Sequence, residues 1–406
     1  MSEDKPVSDW ASDFDVFSPE YTQDPAPIWK ELHGRCPVAH TERGGGLWMS
    51  TKYDDARDLC AMPEVMSNRQ VSIVPLREGT DLLADYHTKT LPPVSADPPE
   101  HTPLRRLILP FFSPKAVEKY RAHTEQLCND LIDTFIETGQ CDAAVDYAQQ
   151  ITPRVIGHLL GIDTSRSDEF TRHVSGLMEE GVKDPELRAE SMHAMQKYFA
   201  DLISERRQAD DESDDYVAQL MRAEVDGKPM SDKLLVNYCV LLLLAGIDTT
   251  WSALGSALWH FATNPDDRRR LASEEALFPT AIEEILRYYA PVSVGRVAMD
   301  DVTLHENTIK RGERMMINFP AANRDPEAFE QADEFMLDRE RNRHLAFGVG
   351  IHRCVGSNLA RMEMDVALRA WFARIPEFEL TDPDAVTWAA GQIRGARNVP
   401  VKFKAG

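Results

Sequence analysis

A chain of 406 residues that is 43% hydrophobic and 28% charged can bury a large core. Its formal charge of -22 argues against nucleic acid or an acidic membrane surface as a partner. An acidic start with no basic run ahead of an apolar core argues against a secretory signal peptide or membrane anchor, and the longest apolar run, residues 239–245, is too short to cross a bilayer. Length alone suggests two or three domains, but no Gly/Ser-rich or Pro-rich linker and no solenoid repeat divides the chain, so one domain over residues 1–406 with 1–20 as a flexible tail reads equally well, and a cytoplasmic monomer is expected.

In chain order, the first segments are mixed: a short helix over 25–32, a strand over 47–50 and a helix over 53–62. Periodicity is lost between 67 and 96, where Pro75, Gly79, Pro92 and Pro93 collect, and a loop of that length either covers a site or is simply mobile. Asp97 is placed to cap a helix opening at Pro98-Pro99, on which His101 and Arg105 share a face that can grip one anionic group. Amphipathic patterns over 115–137, 147–160, 167–180, 185–207 and 216–224 make helix dominant. The acidic cluster Asp210, Asp211, Glu212, Asp214 and Asp215 between two of them reads as a solvated loop.

Ser231 can cap a helix over 232–262 that is apolar nearly all round, as suits the centre of a large domain. Within it Ala245-Gly246-Ile247-Asp248-Thr249-Thr250 makes a polar notch, because Thr249 can turn its hydroxyl back to the carbonyl of Ala245; a merely bent core helix reads the same way. A helix over 279–289 carries Glu284 and Arg287 on one face, a pair worth about a few tenths of a kcal/mol if exposed. Short strands over 293–298, 303–304 and 314–318 suggest a small sheet with Arg296 among apolar neighbours. A turn-rich meander containing Arg339 leads to a helix over 354–374, and strands over 386–388 and 399–403 close the chain.

At the start of that last helix lies Phe347-Gly348-Val349-Gly350-Ile351-His352-Arg353-Cys354-Val355-Gly356. Glycines at this density mark backbone with unusual dihedrals or close approach to something bulky. Cys354, beside Arg353, His352 and a helix N-terminus, is expected to favour thiolate, the form that attacks substrates and binds metals. The other five cysteines, Cys36, Cys60, Cys128, Cys141 and Cys239, read as small hydrophobes, since no CxxC spacing indicates a disulfide framework or zinc site.

These ordered motifs resemble those of the cytochrome P-450 heme-thiolate monooxygenases of the soluble bacterial type. The heme-binding loop is met by Phe347, Gly350, Cys354 and Gly356, the central-helix motif by Ala245, Gly246, Asp248, Thr249 and Thr250, and Glu-x-x-Arg by Glu284 and Arg287. The resemblance implies a mainly α fold with small β-sheets, a triangular prism with a long central helix over heme b. It implies Cys354 as the axial thiolate, His101, Arg105, Arg296 and His352 on the heme propionates, and Phe347, Gly348, Gly356 and Ala245 against the heme. Asp248 and Thr249 would deliver protons for activation of O2 as co-substrate, and Arg339 would lock onto Glu284 and Arg287. Thiolate ligation pushes electron density onto iron and favours O–O cleavage. In Gln331-Ala332-Asp333-Glu334-Phe335 the proline that many relatives carry before the acid is missing, which touches the meander alone.

By position relative to the motifs, Leu91, Val94, Leu241, Leu244, Val292, Val294 and Ile393 are candidate pocket walls for a small, mostly apolar organic substrate. Arg69, Arg77 or Lys89 could pair with a carboxylate on it. The reaction implied is hydroxylation or oxidative demethylation. With no Gly-rich dinucleotide fingerprint in the chain, electrons would come from NAD(P)H through a separate reductase and ferredoxin, docking on Arg105, Arg106, Lys115, Arg343, Arg353 and Arg361. A peroxide-driven peroxygenase, which tends to replace the acid and threonine, a non-catalytic heme sensor and a cysteine hydrolase are the competing readings.

Overall fold

The computed structural model describes residues 5–77, 79–84, 91–209, 213–389 and 391–405. Lys89, Asp210, Asp211 and Glu212 lie outside them.

The helix Asp232–Thr263 organises the rest. The Ser231 hydroxyl accepts from the Leu234 amide at 3.3 Å and satisfies one of the free N–H groups of the first turn. Asn264 and Pro265 end the helix, since its extended backbone at Asn264 is what a following proline requires. By length and hydropathy this helix alone among the described residues could cross a bilayer, but 67% of its apolar window is buried within the molecule, so it is a core helix. It packs on Gln149–Leu160, where a Cβ at Gly246 would come within 2.7 Å of Ile156 Cγ1 and where Thr152 donates to the Ile247 carbonyl at 2.9 Å. Glycine at 246 therefore serves the approach of two helices. The helices Arg121–Asp133, Ser167–Met178, Pro185–Gln208 and Ser357–Arg374 complete this half, with Trp371, Tyr147 and Phe261 fully buried among them.

Beside the helices lies a five-stranded sheet in the order Val38–Thr41, Leu47–Ser50, Arg314–Ile317, Val294–Ala298, Met66–Ser67. Only the pairing of Leu47–Ser50 with Arg314–Ile317 is parallel. Met315 lies opposite Arg296, which fixes the register of the strand that carries that arginine. A three-stranded sheet of Phe378–Leu380, Pro400–Phe403 and Gln140–Asp142 closes the far end.

Three expectations are corrected. Residues 5–20 are not a flexible tail: Phe14 is 1% exposed and Val16 3%, and they join Tyr21, Trp29 and Met49 in a core of their own. Asp97 does not cap the helix His101–Ile108, whose N-cap is Glu100; its carboxylate instead accepts from the Ser67 hydroxyl and, at 2.8 Å, from the Asn68 amide, tying the long loop to the sheet edge. Asp215 is not part of a solvated run, since it caps Tyr216–Met221 and pairs with Arg206 at 2.7 Å.

Candidate active site

Cys354 sits in the turn before the helix Ser357–Arg374, not inside it. Its amide donates to the Phe347 carbonyl at 2.8 Å, closing the loop, while Gly348 and Gly350 take φ of +64° and +76°, a region costly for any residue with a side chain. A Cβ at Gly350 would also lie 2.6 Å from the Cys60 carbonyl. The Arg361 guanidinium stacks 4.5 Å from the Phe347 ring and grips Glu283 with two bonds of 2.6 and 2.8 Å. The Cys354 side chain is exposed by area, yet it stands so deep among protein atoms that burial is the largest influence on its thiol and pushes it up. The Gly356 amide and then Arg105, Arg353 and Arg361 pull it down. The expected electropositive setting is present, but burial outweighs it, so ionisation of this sulfur calls for a cation bound directly to it.

Close by, His101 and His352 face each other with ring centroids 4.4 Å apart. His101 is 3% exposed and, among the described residues, neither of its ring nitrogens has a hydrogen-bond partner; Nε2 of His352 has none either. Burial and then Arg105 hold the His101 imidazolium down, and burial followed by Arg296, His101 and Arg105 depresses His352 to about 3. Arg296, 4% exposed, is itself pushed down by burial and, among the described residues, donates to its neighbour's carbonyl and to the Cys60 sulfur alone. Arg105 turns inward to the carbonyl of Arg353. Orphaned buried donors beside two guanidiniums are costly in a low dielectric, and carboxylates would satisfy them.

On the central helix, Ala245 is exposed although Leu243 and Ile247 on either side of it are fully covered. The face of the central helix that carries Ala245 thus borders accessible space. The Thr249 hydroxyl donates to the Ala245 carbonyl at 2.9 Å, as the motif suggested. Asp248 is 1% exposed; its Oδ1 accepts from Arg397 Nη2 at 2.6 Å and from the Ser252 hydroxyl at 3.2 Å, and its Oδ2 has no hydrogen-bond partner among the described residues. Arg397 also holds Glu179, with Nε to Oε1 at 2.7 Å. Sequence reasoning missed Arg397 and Glu179, because neither is near Asp248 along the chain and no motif marks them.

Glu284 and Arg287 are fully buried, bonded at 2.8 Å on both arms, and Arg339 reaches the same carboxylate at 3.0 and 3.1 Å. Arg287 also donates to the carbonyls of Asn323, Ala332 and Glu334, so the cluster pins the meander that precedes the cysteine loop. Of the candidate pocket walls, Val292 and Ile393 meet across an isolated antiparallel bridge, Leu241 lies one turn before Ala245 on the same face, Leu244 is buried on the neighbouring side of the helix, and Val294 opens the strand Val294–Ala298 two residues after Val292. Leu91 and Val94 are half-buried in the connection before His101, and the Val94 carbonyl accepts from Asn68. An open cleft of about 700 Å³ elsewhere, lined by Leu131, Phe135, Cys141, Thr381 and Val401 among others, contains none of these residues.

A cysteine in a glycine turn, a cationic cluster short of anions beside it and a helix with an acid and alcohol opposite define the site of a heme-thiolate protein. The residues present fit that group. The chain belongs to the cytochrome P-450 family: the family's sequence profile matches residues 183–374. It is 32% identical to the polyketide biosynthesis cytochrome P-450 PksS of Bacillus subtilis (strain 168), over 88% of this chain and 89% of that protein. It is likewise 32% identical to the mycinamicin IV hydroxylase/epoxidase of Micromonospora griseorubida, over 91% of this chain and 94% of that one. Among solved structures, PksS superposes with a TM-score of 0.86 at 30% identity, covering 96% of this chain and 100% of that one, and CYP101J2 with 0.85 at 27%, covering 100% of both. The protein is therefore a cytochrome P-450 monooxygenase, with heme b as its cofactor and O2 as co-substrate. Bacterial members of the family generally draw electrons from ferredoxin and reductase partners.

Proposed function

We propose that this enzyme hydroxylates or oxidatively demethylates a small, mostly apolar organic substrate as a cytoplasmic monomer, with electrons from NAD(P)H through a separate reductase and ferredoxin. The observation that carries the reading is the intact acid and alcohol of the central helix, Thr249 partly exposed beside Ala245 and Asp248 buried directly behind it. A peroxide-driven enzyme has no need of proton delivery there, and neither has a sensor.

When bound, the heme supplies the oxidising chemistry; the protein supplies binding, orientation and protons. Cys354 would hold the iron, and His101, Arg105, Arg296 and His352 would hold the propionates, which answer the unpartnered nitrogens of the two histidines. Thr249 keeps its hydroxyl folded back on the helix, where it can pass a proton received from Asp248. Leu241, Leu244, Val292, Val294 and Ile393 present hydrocarbon to the substrate. The relatives named for polyketide biosynthesis and for mycinamicin IV make polyketides and mycinamicin IV itself sensible members of a screen.

Screening organic compounds for the low-to-high-spin shift that follows displacement of water from the iron identifies ligands. With one such compound, Thr249→Ala is expected to go on consuming NAD(P)H while releasing peroxide in place of product. Coupling equal to that of the wild type would remove Thr249 from the mechanism and with it this reading.

A further inference from the structure

Three side chains from distant parts of the chain converge behind Thr249. Asp248 belongs to the central helix, Glu179 follows Met178 at the end of Ser167–Met178, and Arg397 lies in the strand Ala396–Asn398. Arg397 Nη2 donates to Oδ1 of Asp248 at 2.6 Å and to Oε1 of Glu179, while Nη1 donates to the Ser252 hydroxyl at 2.8 Å. Ser252 in turn donates to Asp248. The guanidinium also lies 4.1 Å from the Trp251 ring, which fixes it from one side.

The charge count is odd for a merely structural ion pair. Two carboxylates share one cation, so when both are ionised the cluster holds a net negative charge in a place where Asp248 is 1% exposed and Arg397 10%. A buried uncompensated charge is expensive, and the ordinary relief is for one carboxylate to keep a proton. An arginine cannot be that carrier, because it does not deprotonate. Glu179 is the member that reaches outward, with 23% of its side chain exposed. Burial is the largest influence on it and pushes its carboxyl up, against the attraction of Arg397 and with the repulsion of Asp248 and Glu180. Two oxygens on one nitrogen lie within about 6 Å of each other, within reach of a single bridging water. Asp248 Oδ2, buried and without a partner, is the free acceptor on the far side of the exchange.

We propose that Glu179 is the proton reservoir of the reaction: it takes a proton from solvent and passes it to Asp248, with Arg397 and Ser252 holding the two carboxylates in register. The proton leaves the Glu179 carboxyl, crosses one water and protonates the Asp248 carboxylate; the carboxylate left on Glu179 is reprotonated from bulk water. Glu179 is thus a positioning and supply residue acting through Asp248. The inference rests on the role given above to Asp248 and Thr249.

The test uses the heme-loaded enzyme with a [2Fe-2S] ferredoxin, its NADPH reductase and a spin-shifting compound, in H2O and D2O across the pH range. Glu179→Gln is expected to lower the turnover rate by about tenfold or more, to raise the solvent isotope effect and to flatten the pH profile, while Glu179→Asp restores most of the rate. In the infrared, the wild-type holoenzyme is expected to show a carboxylic C=O band that persists above the pH at which an exposed glutamate ionises and that Glu179→Gln removes. If Thr249→Ala releases peroxide but Glu179→Gln keeps the wild-type rate, isotope effect and carboxylate spectrum, Glu179 is only an ion-pair partner and the proposal is overturned. If neither substitution has an effect, proton delivery along this face fails as a whole.

Discussion

At the scale of single residues, the same side chain means different things depending on what covers it. Glu284 and Arg287 are three apart on a helix, a spacing that contributes almost nothing on a surface. Here both are fully buried and joined by Arg339 and by Asn342 at 3.1 Å. Glu284→Gln would leave two guanidiniums facing each other without a counter-charge, and the expected loss is on the order of 3–5 kcal/mol of stability, together with weaker heme retention. Chemical unfolding of holoenzyme and variant checks this, and a loss within a few tenths of a kcal/mol would show the cluster to be dispensable. Arg361 changes meaning in the other direction. In the sequence it is one more cation near the cysteine; in the structure Glu283 and the Phe347 ring occupy it, which withdraws it from any docking face.

At the scale of elements, the central helix was legible because its cap, its length and its apolar belt all point the same way. Asp232–Thr263 differs from the expected range by about one residue, at its end. The helix Phe278–Tyr288 and the strand Leu47–Ser50 were equally plain. What escaped were elements whose reason lies elsewhere in the chain. Val38–Thr41, Phe378–Leu380 and Gln140–Asp142 are short, and each exists because a partner strand offers hydrogen bonds, so their own sequences carry little signal. The helix Pro265–Ser273, rich in charge and short of apolar positions, escaped too. The burial of Phe14 and Val16 escaped because an acidic N-terminus looks solvated until the packing of Tyr21 and Trp29 beside it is seen. In the site, the motif residues Cys354, Glu284, Arg287, Asp248 and Thr249 were readable from local spacing. Arg397 and Glu179 were not, since a charge meets its partner in space and leaves no mark in the sequence. Arg339 was readable only through the family resemblance.

At the scale of the whole molecule, the net charge of -22 and the need for an electron carrier pull in different directions. An acidic ferredoxin is repelled by the total and attracted only by a local field. Arg106, Lys115, Arg343 and Arg353 are exposed, and among the described residues the two large hydrophobics that are exposed, Leu109 at 48% and Ile351 at 37%, fall in the same two segments as Arg106 and Arg353. Cations around an apolar centre are what a transient electron-transfer contact uses. Transfer from ferredoxin is accordingly expected to slow as ionic strength rises past the range where the Debye length shrinks to about 10 Å, and Arg106→Glu to slow it at low salt. Rates independent of salt would place the contact elsewhere.

All three scales converge on the sulfur of Cys354: the glycine turn that presents it, the buried Glu284, Arg287 and Arg339 cluster that pins the meander before that turn, and the cofactor that the family carries. The most direct test is the absorption spectrum of the reduced, carbon-monoxide-bound holoenzyme. The account predicts the red-shifted Soret band of thiolate-ligated heme in the wild type and its loss in Cys354→Ala. A Soret band at the position of histidine-ligated heme in the wild type, or an unchanged red-shifted band in Cys354→Ala, would contradict it.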